Sequence, residues 1–215
     1  MRGLYAIIDT DALARRGVLP VPFAERVIAG RPAAIQLRDK HGSARATLAL
    51  LRAIAPLAAA AQVPFFANDR PDLALLAGCD GVHVGQDDLP VALIRSTFPR
   101  LRVGLSTHDA AQVEQAADEA PDYLAVGPIF ATASKYNPSP VVGLAGLREL
   151  VARARASRPG LPIVAIGGIT RETAGEIGSM VDAVAVIGAL LPEAGLPAVE
   201  ERVRALHATI LGERR

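Results

Sequence analysis

The chain has 215 residues, 51% of them hydrophobic, enough to fill one domain with a large core. Lys and Arg number 23 against 22 Asp and Glu, aromatics make up 4% and Trp is absent. That balance excludes a basic nucleic-acid footprint and a base-stacking platform.

A single cysteine, Cys79, excludes an intrachain disulfide and points to the reducing cytoplasm. Its setting, LLAGCDG, is that of a structural thiol at a helix end. The N-terminal MRGLYAIIDTDALARR carries only a short apolar run, broken by Asp9, and lacks a signal-peptide pattern. No stretch approaches the roughly 18 apolar residues of a membrane span, so no membrane partner is expected. The composition is compatible with a homo-oligomer and does not require one.

Eight β-rich runs follow one another along the chain. LYAIID comes first; AAIQLR precedes the helically spaced ATLALLRAIAPLAAAA; VPFFAN and DGVHVG come next. RVGLST precedes DAAQVEQAADEA, and YLAVGP precedes LAGLRELVARARA. PIVAIGG and AVAVIG complete the set, and PAVEERVRALHATIL follows them. The runs are almost continuously apolar, as strands covered on both faces are. Eightfold strand–helix alternation at this length predicts a single-domain α/β protein over 1–215, a (β/α)₈ TIM barrel. An open doubly wound sheet is the second candidate. The longest irregular piece, from Pro128 to Gly143, has three prolines that keep it out of a regular helix. Loops of this length in compact domains are often functional.

In a barrel the chemistry sits where the strands end. The second run ends in QLRDK, and alternation puts Gln36, Arg38 and Lys40 on one side of an extended chain. The third ends in Asn68 and Asp69. The fourth leads from His83 to Asp87 and Asp88, and the fifth ends in Ser106 and His108. The sixth feeds a loop with Thr132, Ser134 and Lys135; the seventh ends in Gly167 and Gly168, the eighth in Ile187 and Gly188.

Two anion sites follow. Glycines ending the seventh and eighth runs would bring backbone N–H groups to a phosphate. Arg38, Lys40 and Lys135 face Asp69 and Asp88 in the other. Two arrangements satisfy that second set: mutual ion pairing, or a diphosphate with Mg²⁺ held by one or two carboxylates and the cations neutralising the rest. His41 and His207 read as surface residues, and His83 as a hydrogen-bonded packing residue more than a base. His108 either lines the site or caps the helix near Asp109. No His/Cys cluster has zinc spacing, and Ser106 lacks a nucleophile elbow.

QLRDK, FFANDR, DGVHVGQDDL, VGLSTH, YLAVGPIFATASK and AIGGI, in this order, resemble the thiamine phosphate synthase family from about Leu4 to Leu191. The resemblance implies a transferase that joins an aminopyrimidine methyl diphosphate to a thiazole phosphate. Thiamine phosphate and diphosphate would be the products, formed by a dissociative step that needs no protein nucleophile. It implies that Gln36, Arg38, Lys40 and Asn68 bind the pyrimidine diphosphate, with Lys135 on the diphosphate and Ser106 on the pyrimidine. Asp69 and Asp88 would bind Mg²⁺. Thr132, Ser134, Gly168 and the Ile187–Gly188 backbone would hold the thiazole phosphate. Arg38, Lys40, Ser106 and Lys135 are the expected catalytic groups.

Three places depart from the family pattern. Ser134 stands for a usual Thr, Gly188 for a usual Ser, and YNPSP after Lys135 has no evident counterpart. A thiazole tautomerase on the same barrel, or a non-catalytic phosphate-ligand binder, would have no use for Asp69 and Asp88 together.

Overall fold

The computed structural model describes residues 1–132, 140–192 and 195–213. Eight strands form a closed barrel: β1 (Gly3–Asp9), β2 (Ala34–Arg38), β3 (Phe65–Asn68), β4 (Gly81–Val84), β5 (Arg102–Thr107), β6 (Tyr123–Val126), β7 (Ile163–Ile166) and β8 (Ala183–Val186). Every neighbouring pair is parallel, and β8 returns to β1 with Leu4 opposite Val184. Around it run α1 (Thr10–Ala14), α2 (Pro20–Ala29), α3 (Ala44–Ala60), α4 (Pro71–Ala77), α5 (Val91–Thr97), α6 (Ala110–Glu119), α7 (Gly143–Ser157), α8 (Ala174–Gly178) and α9 (Pro197–Leu211). A one-turn 3-10 helix, Gly188–Leu190, follows β8. The eight runs expected from sequence are these eight strands: β5 matches its run, β1 gains Gly3, and the others are trimmed by no more than a few residues. Among the described residues no helix is long and apolar enough to cross a membrane.

The period of two along each strand sorts side chains between two cores. Leu4, Ala6 and Ile8 of β1 face the helices and join the large outer cluster. Tyr5 and Ile7 point inward and join Phe66, Tyr123 and small residues such as Ala34, Ala183 and Ala185. Three aromatic rings thereby build a floor across the barrel. Tyr5 and Phe66 each meet Tyr123 edge to face, at centroid separations of 5.9 and 5.5 Å. The Arg102 guanidinium lies over Phe66 at 5.3 Å.

Glycines make room for these rings. A Cβ at Gly104 would lie 2.0 Å from Tyr123 Cζ, and one at Gly81 2.7 Å from Phe66 Cε1. VGLST therefore carries glycine because the Tyr123 ring of the neighbouring strand fills the space, and GVHV because the Arg102 carbonyl at 2.2 Å and the Phe66 ring do so together.

Helix starts use the expected chemistry. Asp9, Ser43 and Asp109 cap α1, α3 and α6, accepting from Ala12, Ala46 and Gln112 N–H at 2.8, 3.3 and 2.9 Å. His207 departs from its expected place on the surface. It is half-buried beneath β1, where Nδ1 accepts from Leu4 N–H at 3.3 Å. Burial lowers its pKa. Gly3 lacks a side chain there because a Cβ would sit 2.6 Å from the His207 ring.

Candidate active site

Above the floor, at the C-terminal ends of the strands, a cavity of about 580 Å³ opens. That volume suits a small-molecule site. The cavity collects Gln36, Arg38, Lys40, Asn68, Asp69, Asp88, Ser106, Thr132, Gly168, Ile187 and Gly188. Ser134 and Lys135 lie outside the described residues. Asp87 is exposed and does not line the cavity; of the two acids after DGVHVGQ, only Asp88 does.

The order of side chains in QLRDK places each one. Gln36, Arg38 and Lys40 alternate inward. Asp39, between them, turns outward and is pinned by Thr10 Oγ1 at 2.9 Å, Thr47 Oγ1 at 2.7 Å and Gly42 N–H at 3.2 Å. Arg38 donates from Nη1 to Asp9 Oδ2 at 2.5 Å, and Asp9 is buried. The register sets this up, because Asp9 is the strand partner of Arg38. A guanidinium has five N–H donors, so this bond orients Arg38 without exhausting it. Asp9 was visible in sequence as an acid ending the first apolar run, yet it had no assigned role.

The ion-pairing alternative for the charge cluster is partly realised. Lys40 Nζ bonds Asp69 Oδ2, while Arg38 pairs with Asp9 and not with the cavity acids. Asp88 Oδ2 accepts from Gly85 N–H at 2.7 Å. Burial raises the Asp69 pKa; the Lys40 bond works against this, and the neighbouring Asp88 adds to it. Asp88 is thus close enough to disfavour the charge of Asp69, an arrangement that a cation relieves. Asp69 holds a left-handed backbone, φ 61°, that turns it from the end of β3 toward Asp88. Beside it, Asn68 Nδ2 is buried with no hydrogen-bond partner among the described residues, an exception to the rule that buried donors are paired. No group of three or more acids, His or Cys suited to a metal occurs among the described residues. Two carboxylates suffice for Mg²⁺ when phosphate oxygens and water complete its shell.

On the far wall Gly168 has φ 64°, and a Cβ there would lie 2.5 Å from the Ala131 carbonyl oxygen. Gly188 differs: among the described residues nothing lies within 4 Å of a Cβ built on it. Arg171, Glu172 and Arg202 also line this side, and no sequence motif had singled them out. His108 lines the cavity and bonds the Gly127 carbonyl through Nδ1 at 2.5 Å, while Asp109 does the capping. Cys79 is buried, and burial pushes its thiol up to about 12, which fits the structural role expected of it.

The sequence model described as thiamine monophosphate synthase matches residues 4–190. The chain belongs to this family. A thiamine-phosphate synthase of Koribacter versatilis is 46% identical, covering 87% of this chain and 88% of its own. One from Chloroflexus aurantiacus is 39% identical over 94% and 91%. A solved thiamine phosphate pyrophosphorylase from Pyrococcus furiosus superposes with TM-score 0.82 at 29% identity, covering 99% of this chain and 97% of that one. Tryptophan synthase from Mycobacterium tuberculosis matches with TM-score 0.70 at 15% identity, a likeness of fold alone. The site of this thiamine monophosphate synthase family member therefore sits on a barrel that other chemistries also use.

Proposed function

We propose that this chain is a thiamine phosphate synthase, a transferase whose single barrel joins an aminopyrimidine methyl diphosphate to a thiazole phosphate. The observation that carries the assignment to these residues is the Asp69–Asp88 pair beside Lys40, Arg38 and the unpartnered Asn68 amide. A carboxylate disfavoured by burial and by its acidic neighbour, next to cations and a buried donor, suits a diphosphate bound with a divalent ion. A tautomerase or a simple phosphate binder gains nothing from that arrangement.

The residues divide the work by charge. Arg38 and Lys40, with Lys135 from the loop after β6, would neutralise the departing diphosphate where its charge develops. Asn68 would donate to a diphosphate oxygen. Asp69 and Asp88 would hold Mg²⁺, which when bound supplies further neutralisation of the leaving group. Gln36 and Ser106 would hold the pyrimidine ring. Thr132, Ser134, Gly168 and the backbone at Ile187 and Gly188 would seat the thiazole phosphate. The bond from the methylene carbon to the diphosphate breaks with its electron pair on the diphosphate. The electron-rich aminopyrimidine carries the resulting positive charge, and the thiazole nitrogen donates the pair that forms the new C–N bond. The remaining task is orientation of two bound partners. The absence of a disulfide-forming cysteine pair and the biosynthetic role together favour the cytoplasm.

A coupled assay tests this proposal. Purified protein with the pyrimidine diphosphate, the thiazole phosphate and Mg²⁺ is expected to release diphosphate and thiamine phosphate in equal amounts, with EDTA abolishing both. Conversion of the thiazole phosphate alone to an isomer would assign a tautomerase. Binding of both substrates with no product would assign a binder.

A further inference from the structure

Gln36 on β2 and Ser106 on β5 stand on different walls of the cavity, and an unbroken hydrogen-bond chain joins them along its base, where Tyr5 and His83 also line it. Gln36 Nε2 donates to Tyr5 Oη at 3.0 Å. Tyr5 Oη meets Tyr123 Oη at 2.9 Å. Tyr123 Oη meets His83 Nδ1 at 2.9 Å, and His83 Nε2 meets Ser106 Oγ at 2.9 Å. All five residues are buried. Burial raises the pKa of both phenols, so each keeps one hydrogen to give.

With Gln36 Nε2 as donor to Tyr5, proton counting sets the direction of every other link. Tyr5 receives from Gln36, so its hydrogen goes to Tyr123. Tyr123 then gives its own hydrogen to His83 Nδ1, which must be an acceptor. The neutral ring therefore carries its proton on Nε2 and donates it to Ser106 Oγ. The Ser106 hydrogen is left for the cavity, and so is Gln36 Oε1. Turning the Gln36 amide over would reverse all four links together, giving Gln36 as the donor and Ser106 as the acceptor. A chain of this kind has only these two fully satisfied states, because a buried hydroxyl hydrogen without an acceptor is costly.

We propose that Tyr5, Tyr123 and His83 are positioning residues whose hydrogen-bond chain locks Gln36 as acceptor and Ser106 as donor, a polarity that accepts an aminopyrimidine and rejects its 4-oxo counterpart. The ligand part rests on the function proposed above. An exocyclic amine offers N–H to an acceptor, and a ring nitrogen offers a lone pair to a donor. A 4-oxo group puts a carbonyl where the amine was, so Gln36 Oε1 would face a second acceptor. Tyr123 does not line the cavity, so its effect on recognition runs through Gln36 and Ser106.

Two measurements test it. Nitrogen-15 NMR of histidine-labelled protein, with the His83 signals assigned by their loss in His83→Asn, is expected to show the Nε2–H tautomer. An Nδ1–H tautomer overturns the polarity. Calorimetric titration of wild type and Tyr123→Phe with the aminopyrimidine methyl diphosphate and its 4-oxo analogue, Mg²⁺ present, reads the specificity. The ratio of the two Kd values is expected to fall about tenfold in the variant, since lost polar complementarity is what discriminates. The Kd of the thiazole phosphate is expected to stay at the wild-type value. An unchanged ratio in a variant with wild-type circular dichroism overturns the proposal. Tyr5→Phe replaces Tyr123→Phe if the latter does not fold. If the wild type shows the Nε2–H tautomer but binds neither pyrimidine, the polarity stands and the aminopyrimidine assignment falls, together with the proposed function.

Discussion

Asp69 is a residue whose charge the fold makes unwelcome. Burial and Asp88 raise its pKa, Lys40 opposes them only in part, and the backbone sits at φ 61°. Such costs are kept at sites that work. Asp69→Asn should therefore abolish Mg²⁺-dependent turnover while the melting temperature at pH 7 stays at or above wild type. A large fall in melting temperature would mean a structural role instead. The sign of the pH effect follows from the raised value. The stabilising, protonated form is present below the ordinary carboxylate range and is lost as pH rises through the folded-state pKa. Mg²⁺ affinity runs the opposite way, since metal needs the ionised form. Calorimetry should show it weakening on acidification before an unperturbed carboxylate would titrate. The two site glycines make a second contrast. Gly188→Ser meets open space and should leave stability within about 0.5 kcal/mol, with the thiazole phosphate KM equal or lower. Gly168→Ala meets the Ala131 carbonyl at a positive φ and should raise that KM.

At the scale of the element, strand interiors are as constrained as strand ends. Gly104→Ala would drive a Cβ to within 2.0 Å of the Tyr123 ring, held from two sides by Tyr5 and Phe66. Such overpacking should cost about 1–3 kcal/mol, read as a lower denaturant midpoint. The eight strands were legible because each is a short apolar run between turn residues, and α3, α6, α7 and α9 because their period repeats; α2, as long as α6, was not read from the sequence. Helices α1, α4, α5 and α8 span only five to seven residues and offer too little repeat to read. Alternation in QLRDK gave three cavity groups correctly, since side-chain direction in a strand is set by parity alone. Parity could not reveal that Tyr5 and Tyr123, 118 positions apart, share a hydrogen bond. It also could not place His207 under β1, because that contact depends on how the last helix docks. Asp9 was visible as a residue but not as a partner, since its role comes from the register of β1 on β2.

At the scale of the whole molecule, the barrel separates its two tasks along one axis. The N-terminal end carries packing such as His207 against Gly3, and the C-terminal end carries charge. The site residues legible in sequence were those at strand ends; the lower tier that holds them was not, being assembled from inward positions on separate strands. The aromatic floor of Tyr5, Phe66 and Tyr123 has a kinetic meaning. A vessel sealed at its base empties only by the route through which it fills. Two reactants and two products then use the same end of the barrel, so each turnover must clear the well before the next begins. A molecule wide enough to sit across that mouth would slow arrival and departure alike, whichever compound is in transit.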